Sequence, residues 1–115
     1  MFRLVKIEGG RINVFEPQLL PVGAKVTRGQ ALDVVNGAVQ PSTGTPTYIA
    51  LASGEIDEEI AVGRIDPSQI YEVEGVSDAT VGAKYAVEGG ALGTKGTGSV
   101  EVVAVYGTTV LVRFS

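Results

Sequence analysis

Two-residue alternation of apolar and polar positions, rich in β-branched side chains, is the pattern that most limits what this chain can fold into. In Ser99-Val100-Glu101-Val102-Val103-Ala104-Val105-Tyr106, strict alternation sets Val100, Val102, Ala104 and Tyr106 on one face and Glu101, Val103 and Val105 on the other. That period belongs to a strand, and the 3.6-residue apolar period of an amphipathic helix is hard to find anywhere in the 115 residues. Gly107-Thr108 breaks the run and Thr109–Phe114 resumes it, which predicts a C-terminal hairpin on a pleated surface that suits Val and Thr. Val34-Val35-Asn36-Gly37-Ala38-Val39 predicts another, because Asn-Gly supplies the two positive-φ residues of a type I′ turn.

Further strands are predicted at Arg3–Glu8, Ile12–Phe15, Tyr48–Ala52, Glu59–Ile65 and Tyr71–Glu74, with Gly9-Gly10 as a tight turn between the first two. Asp66-Pro67-Ser68-Gln69-Ile70 carries the one helical signal, Asp66 as N-cap and Pro67 at the first helical position, and is long enough for a single turn. Sixteen glycines and five prolines punctuate the short strands. The expected fold is therefore all-β, a small β-barrel or sandwich with at most one short helical turn. Length predicts one domain, divided here into an N-terminal arm or edge hairpin over residues 1–16 and a β-domain over 17–115.

An internal echo runs through that domain. Residues 26–39 align without gaps on residues 79–92 at a constant offset of 53 (80 − 27, 90 − 37). Thr27/Thr80, Gly29/Gly82, Val34/Val87, Gly37/Gly90 and Ala38/Ala91 are identical, and Leu32/Tyr85 and Val39/Leu92 agree in character. Each copy has a glycine entering a strand and a turn ending in glycine, then a polar loop (41–46 or 93–99) and another apolar strand. One β-unit used twice is the expected meaning.

The residues that carry most protein chemistry are missing. The chain has no His and no Cys, so it lacks disulfides, thiol nucleophiles, imidazole bases and the usual zinc ligands. Nine Lys and Arg against thirteen Asp and Glu leave a net charge of −4, which argues against nucleic acid as partner. No apolar run is long enough to span a membrane, and charges interrupt the N-terminus before a signal-peptide core can form, which fits synthesis in a cytoplasm. Glu55-Ile56-Asp57-Glu58-Glu59 concentrates acid but lacks a ligand-loop pattern, and reads as a solvated connection between strands. Tyr48, Tyr71, Tyr85 and Tyr106, without any Trp, make a poor sugar-stacking platform; they are expected at barrel edges with wet hydroxyls. No Gly-Lys-Ser/Thr ending makes a phosphate loop of the glycines between 82 and 98, and the scattered lysines do not mark a carrier-domain hairpin. These readings predict no catalytic residue, no metal and no cofactor, hence a structural or binding protein and no enzyme. A carboxylate-pair enzyme is the last-ranked alternative.

The N-terminal stretch is the least ordinary part. Phe2 and Leu4 fall on one face and Val5 and Ile7 on the other, and Leu19-Leu20-Pro21 adds apolar bulk beside prolines that cannot sit in a central strand. Either the domain itself covers both faces, or another chain covers an edge.

Three stretches, taken in order, resemble the capsid cement or head decoration proteins of tailed bacteriophages. They are Val26–Leu32 with Val35–Pro41, Pro46–Leu51 leading into Ile60–Ile65, and Asp66-Pro67-Ser68-Gln69-Ile70-Tyr71-Glu72-Val73; with the second copy the likeness covers roughly residues 20–95. The resemblance implies a β-tulip-like fold and attachment to the outside of an expanded capsid. The partner would be the major capsid protein, and the protein would sit on the virion surface as a homotrimer. It makes residues 1–16 the arm that joins the capsid, with Phe2, Arg3, Leu4, Val5 and Ile7 as contact residues. A small β-barrel interaction or ligand-binding module, in a phage tail or a cytoplasmic assembly, is the alternative.

Overall fold

The computed structural model describes residues 1–7 and 17–114, with the backbone alone at residues 5–7. In chain order the strands are β1 (Arg3–Ile7), β2 (Gln18–Pro21), β3 (Ala31–Val35), β4 (Ala38–Pro41), β5 (Tyr48–Ala50) and β6 (Glu59–Arg64). They continue as β7 (Gln69–Val73), β8 (Lys84–Glu88), β9 (Ala91–Lys95), β10 (Val100–Tyr106) and β11 (Thr109–Phe114). No helix occurs among the described residues, and the expected all-β class holds.

The strands divide into two antiparallel sheets, ordered β1-β7-β11-β10-β8-β9 and β2-β6-β5-β3-β4. The second curls into a half-barrel. Its ends approach each other where Val22 bridges Val39 in parallel and the Gly23 N–H donates to the Val39 carbonyl at 2.9 Å. Val22, Val26, Leu32, Val39, Tyr48, Ala50, Ile60 and Val62 fill it. The first sheet buries a larger core of Phe2, Tyr71, Val73, Tyr85, Val87, Val100, Val102, Val110, Val112 and Phe114. Ala31 and Ile49 from the other sheet complete that core.

Strands β3 and β5 therefore serve both cores. Ala31 pairs with Ile49 toward the large core, and the next pair, Leu32 with Tyr48, points into the half-barrel. Burial on both faces explains why these strands show apolar residues at consecutive positions.

The two echoing segments fold alike. Strands β3 and β8 begin 53 residues apart (84 − 31), and so do β4 and β9 (91 − 38). The entering glycines match in φ, 91° at Gly29 and 88° at Gly82. The hairpin turns match too: 52° and 81° at Asn36-Gly37, 57° and 78° at Gly89-Gly90. These paired positive values are those of a type I′ turn. One extra residue enters β9, where a bulge interrupts the β8–β9 register between Tyr85 and Val87.

Three expectations need correction. Alternation along β10 predicts Ala104 and Tyr106 on the face of Val100 and Val102. A bulge between Val102 and Ala104 reverses the phase, so Val105 packs against the core and Tyr106 is exposed. The stretch expected to form a helical turn at 66–70 is a β-turn entering β7 instead, with the Gln69 N–H donating to the Asp66 carbonyl at 3.0 Å. The expected loop 93–99 begins inside β9. The strand expected at Ile12–Phe15 and the turn at Gly9-Gly10 lie outside the described residues.

Candidate functional site

The acidic segment 55–59 is an exposed turn running into the start of β6, and Ile60, the next residue, is buried. Glu58 turns back so that its carboxylate accepts the Glu55 N–H at 2.6 Å, and Lys25 lies 3.7 Å from Glu55. Among the described residues no three acidic side chains come together as a metal site. Asp66 accepts the backbone N–H and the hydroxyl of Ser68, at 2.9 and 2.7 Å, and these bonds hold its carboxyl below the ordinary carboxylate range.

The tyrosines do not form a platform. Tyr48, Tyr71 and Tyr85 are buried and Tyr106 alone of the four is exposed, which corrects the expectation of wet hydroxyls at barrel edges for Tyr71 and Tyr85. The Tyr71 hydroxyl donates to Gln69 Oε1 at 2.6 Å, and burial, with a smaller contribution from the Asp66 carboxylate, pushes its pKa up. The Tyr85 hydroxyl is buried with no hydrogen-bond partner among the described residues.

What remains is surface, beginning at the N-terminus. Strand β1 is the outer strand of the six-stranded sheet and pairs with β7. Phe2 is 3% exposed and its ring stands 5.0 Å from that of Phe114 and 6.5 Å, edge on, from that of Tyr71. Of the expected contact residues, then, Phe2 is in the core and Leu4 is half-buried against it. Arg3 is exposed and ion-paired with Glu72. Val5 and Ile7 belong to β1 by their backbone, and their side chains lie outside the description. Residues 1–7 of the expected arm are thus strand and core, and residues 8–16 lie outside the described residues.

Two clefts flank Met1. One of about 380 Å³ is lined by Phe2, Arg3, Arg28, Gly29, Glu72 and Glu74. The other, about 310 Å³, lies between Val73–Ser77 and the β8–β9 hairpin, with Tyr85 and Leu92 in its wall. Both are shallow depressions without a convergent set of catalytic groups.

Exposed apolar side chains are the second surface feature. Leu19 projects from the edge strand β2, Ile56 from the acidic turn and Tyr106 from the C-terminal hairpin. Val34 and Val35 stand at the end of the first repeated hairpin, and Val81 on the turn that enters the second. Sequence reasoning overlooked these three valines. The adjacent pair Val34-Val35 carries no signal of its own, since the equally apolar neighbours Ala31-Leu32 of the same strand are buried on opposite faces.

Comparison with protein-family models, curated proteins and solved structures found no match to this chain.

Proposed function

We propose that the protein is a structural binding protein, a head decoration or capsid cement protein of a tailed bacteriophage that attaches to the outside of the expanded capsid. One observation supports this reading best: the six-stranded sheet ends on β1, which has no strand on its outer side among the described residues. An edge of that kind offers main-chain N–H and C=O groups to a strand from another protein. The anchoring of β1 refines the idea of a free arm. Withdrawing Phe2 from the core would cost about 3–5 kcal/mol, so attachment proceeds by adding a capsid strand to a fixed edge. Ligands that bind only the expanded lattice stabilise it by mass action, and a trimer engaging several capsid subunits lengthens residence without stronger contacts at each.

The test is co-sedimentation with expanded capsids of the phage that encodes the protein, together with the temperature at which those capsids rupture. Binding to expanded but not unexpanded capsids, with a raised rupture temperature, is the expected result. No co-sedimentation and an unchanged rupture temperature would remove the proposal. The alternative of a small-ligand module predicts instead a thermal shift of the isolated protein with a small compound seated in the shallow cleft beside Met1, Tyr85 and Leu92.

A further inference from the structure

The two repeated units are alike in backbone and unlike in what covers them. In the first, the turn Thr27–Gln30 and the start of β3 form a small platform. The Phe2 N–H donates to the Gly29 carbonyl at 2.9 Å, and a Cβ on Gly29 would lie 2.6 Å from that of Met1, so the N-terminus covers one side. The tip of the second hairpin covers the other. Ala31 N–H donates to the Gly90 carbonyl and Gly90 N–H to the Ser42 carbonyl, both at 2.8 Å, and Gln30 Nε2 reaches the Gly89 carbonyl at 3.2 Å.

The second unit builds the same platform. Ala83 N–H closes the turn on the Thr80 carbonyl as Gln30 N–H does on Thr27. Gly82 N–H donates to Val102 as Gly29 does to Ala50, and Gly96 N–H to Lys84 as Ser42 does to Ala31. Here, however, Val81 is 68% exposed, and a Cβ on Gly82 would meet nothing within 4 Å. The tip that corresponds to Gly89-Gly90 is Asn36-Gly37. It is exposed, a Cβ on Gly37 would meet nothing within 4 Å, and Val34 and Val35 behind it are 43% and 46% exposed. One tip and one platform are joined within the chain; among the described residues nothing covers the matching tip and platform.

We infer that the Asn36-Gly37 tip of one copy docks on the Val81–Lys84 platform of a second copy, repeating between molecules the contact that Gly89-Gly90 makes within one. Charge agrees with this pairing: residues 31–41 carry Asp33 and no cation, whereas the platform presents an exposed Lys84 beside Val81. The contact joins two different surfaces, so it is heterologous, and its repetition either closes a ring or extends a filament. The inference concerns the isolated protein and does not depend on the capsid reading.

Sedimentation velocity across a concentration series, run to the millimolar range, tests it. The parent is expected to form species heavier than the monomer, and the single variants Val35→Lys and Val81→Asp to remain monomeric with unchanged circular dichroism. Mixing the two variants restores one intact tip and one intact platform, and stops at a heterodimer. Because the chain has no cysteine, Asn36→Cys and Lys84→Cys variants report the same contact by cross-linking under mild oxidation. A mixed disulfide exceeding either homodimer supports the contact. A parent that stays monomeric throughout, a Val81→Asp variant that associates as the parent does, or Asn36→Cys linking chiefly to itself would overturn it.

Discussion

Tyr71 and Tyr85 are buried to nearly the same depth in one core and differ in what their hydroxyls meet. Tyr71 donates to Gln69 Oε1, which also accepts the Asp66 N–H at 2.8 Å, so the phenol, the amide and the β-turn entering β7 are tied together. Tyr85 has no such partner among the described residues. A buried unsatisfied hydroxyl costs about 1–3 kcal/mol, whereas a satisfied one contributes about 1 kcal/mol net. Tyr71→Phe is therefore expected to lower unfolding free energy by about 1–2 kcal/mol, and Tyr85→Phe to raise it by about 1 kcal/mol. Urea unfolding of the two variants under one buffer checks both signs. Alternation identified these tyrosines as strand residues, but their solvation depended on which face the second sheet covers.

At the scale of elements, the turns were the most legible part of the sequence. Asn36-Gly37 and Gly107-Thr108 announce hairpins because few residue pairs accept those backbone angles, and the recurrence of Thr, Gly, Val, Gly and Ala located two hairpins of the same form. The misread segments have local causes. Bulges carry no sequence mark of their own, so the phase reversal at Val103 was hidden. Leu19-Leu20 lies beside prolines and pairs with β6 through its edge position, and Gly93 in β9 reads as loop. The repeated turns also give a controlled comparison. Gly37 and Gly90 share nearly the same positive φ, but a Cβ at Gly90 would lie 2.8 Å from the Gln30 Cβ and 3.0 Å from the Ala31 carbonyl. Gly37→Ala is expected to cost about 1 kcal/mol from backbone strain alone, and Gly90→Ala about 2–4 kcal/mol because docking is disturbed as well. Thermal unfolding of the pair measures that difference.

At the scale of the molecule, the shared strands decide how the protein comes apart. Leu32 and Tyr48 belong to the half-barrel, while Ala31 and Ile49, their immediate neighbours, belong to the larger core. Neither core can open without moving β3 or β5. A single unfolding transition is therefore expected, with tyrosine fluorescence and far-ultraviolet circular dichroism superimposing. Two separated midpoints would show that the half-barrel opens by itself. The surface was less legible than the fold. Composition marked which chemistries the chain lacks, but exposure of Val34, Val35 and Val81 follows from the unequal covering of two equal units, which no single segment encodes.

The exposed Asn36-Gly37 turn also gives the molecule a chemical clock. Small, open Asn-Gly turns are where a backbone nitrogen attacks the preceding side-chain carbonyl, expels ammonia and leaves aspartate or isoaspartate after the cyclic imide hydrolyses. Each such event adds a negative charge, and isoaspartate lengthens the backbone inside a turn that tolerates little change of angle. Stored protein should thus drift toward acidic isoforms in which the exposed tip, Val34–Gly37, has lost its shape, while Ala31, Leu32 and Val39 of the same hairpin stay in the two cores.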